Sequence, residues 1–454
     1  MVPCVRREAE RVLVVSRRIT QSPIFLRWAT FAVFLITIWS VALLKSDISA
    51  PYITANDMTP DYVSARAWLH GIEPYATIRE LNDRFLGPSA PYFIDFPGNE
   101  RNPHPPVAVL LFAPFALLSI TAARVLWLGL MLGAVAWAMI RFTRELGWSK
   151  RGQFVAGALT LSIPAVRSDF AFAQANSLLL LVLVYSWIAL RRGHDARAGV
   201  LLGLISAFRV FPILFVIPLL RLRRMRSVAW MLITTVVLSL FGVIAIGVHS
   251  TGLFVGTAST NNTKFWISQP ANLSLVGLPF RWLTKNHWMA ASVSLPWIAL
   301  GLGIVLMLLC LTAMYRTPAR VSGDVFWAST PWILLATPLS WFHYAVILLP
   351  LLILLERGTR RAGLLRVLVL IACGGTIIAR VVADRFIAHG LGGYSPFVQV
   401  AGYSIAMYGF VGIGLAEWAK QSLTQWPGKW SHQATSIPVE LPLQRRTPRT
   451  VVGT

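Results

Sequence analysis

Two aspartates, Asp57 and Asp61, stand in the stretch 56–75 of a chain with 18 acidic residues in 454. A placed carboxylate can take or orient a proton. The local reading is structural: Thr59 as N-cap, Pro60 at the first helical position, Asp61 in the first turn against the helix dipole, and Gly71 as the stop. Trp68 and Tyr75 suit the headgroup layer of a membrane. Further polar residues recur in separate segments: His104, Asp169, Gln174, Asn176, Asn272, Ser274 and His343. Each also has a plain reading. His104 could open a helix before two prolines, Gln174 and Asn176 could cap the next one, and His343 could pack beside aromatics. No spacing of carboxylates, histidines or cysteines fits a metal site, and no glycine-rich phosphate loop is present, so neither metal nor cofactor is expected.

The elements that must position these residues are membrane spans. The chain is 56% hydrophobic and 13% charged, with mean hydropathy +0.63. Runs at 28–44, 125–140, 227–248 and 293–314 are about long enough for a ~30 Å hydrocarbon core. The expected fold is an all-α polytopic membrane bundle of about 12 spans. Residues 1–27 form a basic cytoplasmic N-terminus ahead of an uncleaved first span, 28–418 the transmembrane domain, and 419–454 a basic, disordered cytoplasmic tail. External loops are expected at 45–106 and 249–289; the first is too long for a simple connection, which favours function.

Two parity arguments refine this. Residues 107–120 are apolar but short, and a full crossing would put Arg141, Arg144, Lys150 and Arg151 outside; an interfacial or re-entrant helix keeps them in the cytoplasm. Spans then follow at 123–141, 153–166 and 177–190. Residues 198–220 have basic clusters on both flanks, so two half-helices turning at 208–212 are expected, with Arg209 deep in the protein and needing a partner. The polar residues then fall on the external face, from four segments. That placement suits a reaction at the outer interface between a lipid-borne group and another molecule.

The net charge of +23 raises the question of nucleic acid. Its Lys and Arg residues cluster in short loops between spans, as the positive-inside rule requires, without the basic surface interleaved with aromatics that a nucleic-acid groove needs. Cys4, Cys310 and Cys373 form no disulfide framework.

A family pattern lies across these residues. Asp61-Tyr62 with Ala65 and Ala67, then Leu69-His70-Gly71-Ile72-Glu73-Pro74-Tyr75, resembles the first loop of glycosyltransferase family 87, the polyprenyl-phosphate-mannose-dependent mannosyltransferases. His104-Pro105-Pro106 resembles its Tyr-Pro-Pro, and Gln174-Ala175-Asn176 its Gly-Gln-x-Asn. Gly199 through Arg209 to Pro212 resembles the stretch ending Lys-x-x-Pro. Asn272-Leu273-Ser274 resembles Asn-Gln-Ser, and Pro338-Leu339-Ser340-Trp341-Phe342-His343 resembles Pro-x-Ser-Trp-x-His. The departures are His104 for an aromatic, Arg209 for lysine and Ala173 for glycine.

The resemblance implies a GT-C membrane fold in the plasma membrane, both termini cytoplasmic, with the active site on the external face. It implies transfer of a sugar, usually mannose, from a polyprenyl-phosphate donor to a lipid or glycan acceptor with inversion. Such chemistry needs a base for the acceptor hydroxyl and positive charge for the departing phosphate. Asp61 and His343 are the expected base and acceptor-activating pair. Arg209, Lys264, Arg281 and His104 are the candidates for the donor phosphate. Asp57, Gln174, Asn176, Asn272, Ser274 and Trp341 are those for the sugar or acceptor. The rival reading is a lipid or polysaccharide transporter, which the Arg209 hairpin would suit. The two long external loops and the lack of paired halves count against it.

Overall fold

The computed structural model describes residues 57–88, 100–161, 163–259, 266–269, 272–284, 294–316 and 324–358. The expected spans at 28–44, 364–382 and 398–418, both basic termini and Lys264 lie outside the described residues. Among the described residues the regular elements are helical, with one isolated antiparallel bridge between Asn272 and Trp341.

The polar stretch forms α1 (Met58–Leu69) and α2 (Ile78–Phe85). Asp57, not Thr59, occupies the N-cap of α1, and its side chain makes no cap bond. Pro60 still falls in the first turn, where a missing N–H costs nothing. Gly71 stops the helix as expected, at φ +68°, while Ile72 N–H donates back to the Ala67 carbonyl at 2.9 Å. Only glycine adopts that backbone cheaply. Tyr75 is no headgroup residue: it is fully buried, and its hydroxyl donates to the His104 carbonyl at 2.7 Å.

α3 (Pro106–Ala116) is about 16 Å long, half a hydrocarbon core, in keeping with a segment that does not cross. α4 (Ile120–Glu145) is long and apolar. The expected span at 153–166 is divided into α5 (Lys150–Leu161) and α6 (Pro164–Ala171), because the residue before Pro164 is held out of helical geometry. α7 (Asn176–Arg191) and α8 (Asp195–Phe208) follow. After a 3-10 turn at Phe211–Phe215 come α9 (Val216–Arg221), α10 (Met225–Ile246) and α11 (Val248–Ser259). The described remainder is α12 (Leu278–Leu283), α13 (Pro296–Arg316), α14 (Val325–Ala328), α15 (Thr330–Ala336), a 3-10 turn at Phe342–Leu348, and α16 (Leu349–Gly358).

α4, α10 and α13 are each long and apolar enough to cross a membrane. α10 leaves Ile233, Val236, Val237, Leu240, Phe241 and Ile244 exposed, and α13 leaves Trp297, Ile298, Val305, Leu308 and Leu309. Apolar stripes of that size would not be stable against water and need lipid. The chain is a membrane protein.

The excursion through Arg209 returns to its start. Arg224 pairs with Asp195 at 3.2 Å, so the chain enters α8 and leaves α9 at one end. α8 then runs parallel to α10. Built at Gly199, a Cβ would lie 2.4 Å from the Ser227 carbonyl, and at Gly203 2.6 Å from that of Met231. This glycine pair at i, i+4 lets the two backbones meet, as in membrane helix packing generally. Arg192 pairs with Glu145 at 2.7 Å, which brings the end of α4 to the same place. Three basic loops therefore gather at one end of the bundle. At the other, Gly242 of α10 meets Pro106 and Val107, about 27 Å from Arg224 at 1.5 Å per residue.

Candidate active site

The polar centre is built at the Pro106 end, on α1 and the extended segment 100–104. In that segment Glu100, Asn102 and His104 alternate with Arg101 and Pro103. Glu100 and Asn102 are buried, whereas Pro103 is exposed. Period-2 alternation puts the three polar side chains on one face. His104 Nδ1 contacts both oxygens of Asp61, at 2.8 and 2.9 Å. Asn102 donates to Asp61 Oδ1 at 3.1 Å and to Ser64 Oγ at 3.1 Å, and its own oxygen accepts from His104 N–H at 3.0 Å.

Arg209 completes the centre from the break after α8, where its backbone is extended. One guanidinium N–H donates to His104 Nε2, and another to Gln174 Oε1 at 3.2 Å. A guanidinium cannot accept, so Nε2 must, and the imidazole proton sits on Nδ1, donated to Asp61. Gln174 in turn donates from its amide nitrogen to Asp57. The result is one continuous chain from Asp61 through His104, Arg209 and Gln174 to Asp57. Two of the five guanidinium N–H groups are used, so Arg209 retains donors for an anion.

The two carboxylates are driven apart. Burial pushes both up, but at Asp61 the adjoining His104 imidazole and its hydrogen bond, with Arg209 and Asn102, outweigh it and hold the carboxyl below its ordinary range. At Asp57 burial wins over Gln174, His104 and Arg209. Paired acids with opposed shifts mark divided roles.

Among the described contacts His343 makes no hydrogen bond to Asp61. It is buried, its ring lies 5.9 Å from that of Phe172 and 5.2 Å from that of Tyr344, and its Nε2 has no hydrogen-bond partner among the described residues. Burial, and then the charge of Arg209, lower it to about 3, so the ring is neutral. The imidazole that Asp61 does hold is His104, which the sequence placed with the phosphate.

Several other candidates bind the protein itself. Asn176 donates to Asp169 at 2.8 Å, and Ser177 donates to the same carboxylate from N–H and hydroxyl at 3.0 and 2.7 Å. Asp169 thus caps α7, and Asn176 is one of its ligands. Asn272 donates to the Pro338 and Ile267 carbonyls at 2.8 and 3.1 Å, and accepts from Ser274 and Ser340 N–H. Ser274 donates to the Leu335 carbonyl at 3.3 Å. Buried Arg281 donates to the Asn272 carbonyl. Asn272 and Ser274 fasten the segment before α12 to the segment carrying Trp341, and Arg281 ties Asn272 to α12. Trp341 meets Trp266 edge-to-face at 5.7 Å.

Sequence reasoning missed Asn102 and Glu100. Their signal was the alternation of polar residues leading into Pro105-Pro106. Beside the centre, an open apolar groove of about 510 Å³ runs between α1, α3 and α10, lined by Trp68, Leu110, Pro114, Leu117, Phe241 and Ala245. Trp68 is about 10 Å along α1 from Asp61, and its indole N–H donates to the Ala245 carbonyl at 3.0 Å.

Comparison with known proteins gives a consistent picture. The sequence profile of glycosyltransferase family 87 matches residues 103–338, beginning just before His104 and excluding Asp57, Asp61, Trp341 and His343. A Mycolicibacterium smegmatis polyprenol-phosphate-mannose-dependent alpha-(1-2)-phosphatidylinositol mannoside mannosyltransferase is 27% identical over 285 residues, 55% of this chain and 60% of the relative. A Mycobacterium tuberculosis protein of the same description is 26% identical over 344 residues, 70% and 74% of the two chains. Another from that organism, acting on phosphatidylinositol pentamannoside, is 25% identical over 263 residues, 57% and 59%. Two of these three matches thus span about 60% of the relative's length.

Proposed function

Since the chain belongs to glycosyltransferase family 87, we propose that it is a membrane mannosyltransferase. It takes mannose from a polyprenyl-phosphate donor and passes it, with inversion, to a glycolipid or glycan. The relatives' donor is named polyprenol-phosphate-mannose, and the observation that carries the reading is the Asp61–His104–Arg209 line. The acceptor hydroxyl oxygen forms a bond to the anomeric carbon as the bond from that carbon to the phosphate oxygen breaks. Asp61 takes the hydroxyl proton, and Arg209 meets the charge on the departing lipid phosphate. Because the sugar is oxocarbenium-like in the transition state, a weak, ionised carboxylate suffices as base.

His104 is the spacer. One imidazole and two hydrogen bonds separate carboxylate from guanidinium by roughly 7–8 Å, which suits attack and departure on opposite faces of one sugar, as the roughly 6.5–9.5 Å of inverting glycosidases does. Neutral His343 stands ready on the Arg209 side to orient a hydroxyl. The prenyl chain lies along the groove beside Trp68 and Leu110. The fold is a GT-C-type bundle in the plasma membrane, its basic loops and termini cytoplasmic and the Asp61 centre external, since positive charge is retained inside. Transfer needs no divalent metal, because a lipid monophosphate leaving group asks less neutralisation than a nucleotide diphosphate.

The test is transfer from labelled polyprenyl-phosphate mannose in membranes, with and without chelator. Asp61→Asn keeps the size of the side chain and loses the proton acceptor, so the rate falls about 10²–10⁴-fold at unchanged protein level. Full activity in that variant removes Asp61 from the chemistry. Loss of all transfer in chelator, restored by Mn²⁺ or Mg²⁺, removes the metal-free reading.

A further inference from the structure

Glu100 uses the same face of the extended segment as Asn102 and His104 but points its bond elsewhere. Trp266 Nε1–H donates to Glu100 Oε1 at 2.9 Å, and among the described residues the other carboxyl oxygen has no hydrogen-bond partner. The Glu100 backbone is itself fixed, its carbonyl accepting from Ile78 N–H at 2.8 Å. The Trp266 ring stands at 90° to that of Trp341, and Trp341 is held in turn by its bridge to Asn272. Both indoles remain partly exposed. A carboxylate and two crossed indoles, all anchored from behind, make a rigid polar-apolar corner.

Such a corner fits a pyranose. Its C–H face is apolar and carries slight positive charge, which suits the negative face of an indole, while its hydroxyls need an acceptor such as the second Glu100 oxygen. Residues 100 and 102 are about 7 Å apart along extended chain, close to the span of one hexose with its hydroxyls. A sugar seated at the corner would therefore present its edge to the Asn102-bound Asp61.

We propose that Glu100, Trp266 and Trp341 form the subsite that seats the acceptor's terminal sugar. This rests on the transferase reading above, with Asp61 as its base. Burial raises Glu100 to about 8, against the Trp266 bond and with Asp57 adding to the rise, so at neutral pH the group is mostly protonated and donates as well as accepts.

Two measurements keep subsite and transferase separable. Saturation-transfer NMR of methyl α-mannoside on purified wild-type protein should show contact with the ring protons. Trp266→Ala and Trp341→Ala should raise its Kd roughly five- to tenfold, the range that one aromatic contact is worth, and Trp341→Phe should restore most of the binding. In the transfer assay the same variants should raise acceptor KM rather than donor KM. The control is Trp297→Ala, on the lipid-facing side of α13. No mannoside contact in wild type, or Kd unchanged in both alanine variants with wild-type thermal unfolding, overturns the subsite. Mannoside binding in a protein that never consumes the donor leaves the subsite and overturns the transferase.

Discussion

At the scale of single residues, the centre works by opposing burial with placed charge. Glu100 offers a pH test because it sits at about 8 against an ordinary value of 4.5. A raised acid binds more protons folded than unfolded, so its contribution to stability is greatest below about 4.5 and is lost as pH rises to about 8. Glu100→Gln keeps the acceptor for Trp266 and cannot ionise. The unfolding temperature of Glu100→Gln minus that of wild type should therefore grow between pH 5 and 8.5. Taking the difference also cancels Asp169, which burial raises to about 7 in the same window. A flat difference would mean that Glu100 is ionised throughout.

At the scale of elements, the start of α7 shows why a polar residue near a site need not belong to it. Asp169 meets the N–H groups of Asn176 and Ser177 and both their side chains, satisfying donors that a helix start leaves open. By sequence alone Asp169→Asn, outside the Asp61 and His343 pair, reads as a control that retains much more activity than Asp61→Asn. The structure adds a stability cost: an amide turns a donor toward donors, at about 1–2 kcal/mol. The variant should unfold several degrees lower, yet keep the donor and acceptor KM of wild type in the protein that remains folded. Wild-type unfolding would remove Asp169 as the cap. Just upstream, Ala173 holds φ +51° where the family pattern carries glycine, a backbone that an L-residue adopts at a cost of about 1–2 kcal/mol. Gln174 is aimed at Asp57 and Arg209 from that bend.

At the scale of the whole molecule, the bundle is polarised. The Glu145–Arg192 and Asp195–Arg224 pairs gather basic loops at one end, and the Asp61 centre lies near Pro106, at the opposite end of α10. If that axis is the membrane normal, a cysteine at His194 labels only from the cytoplasmic side and one at exposed His70 only from outside, in a background lacking Cys4, Cys310 and Cys373. External labelling at 194 would break both the polarity and the returning excursion through Arg209.

What the sequence determined by itself is what local chemistry and counting carry. Apolar runs give helices for lipid, the Gly71 stop is read from its residue type, and basic flanks on both sides of 198–220 force the chain to return. The ordered motifs led to the family. Partnership was decided only by the tertiary structure. Asp61, His104, Gln174 and Arg209 are 35 to 105 residues apart in the pairs that touch, and no periodicity encodes which histidine reaches a carboxylate. His104 and His343 are equally plausible on paper. The extended backbone at 100–104 carries one to Asp61, while the ring packing of Phe172 and Tyr344 holds the other apart, because a side chain's neighbours are set by how helices pack and not by its place in the chain.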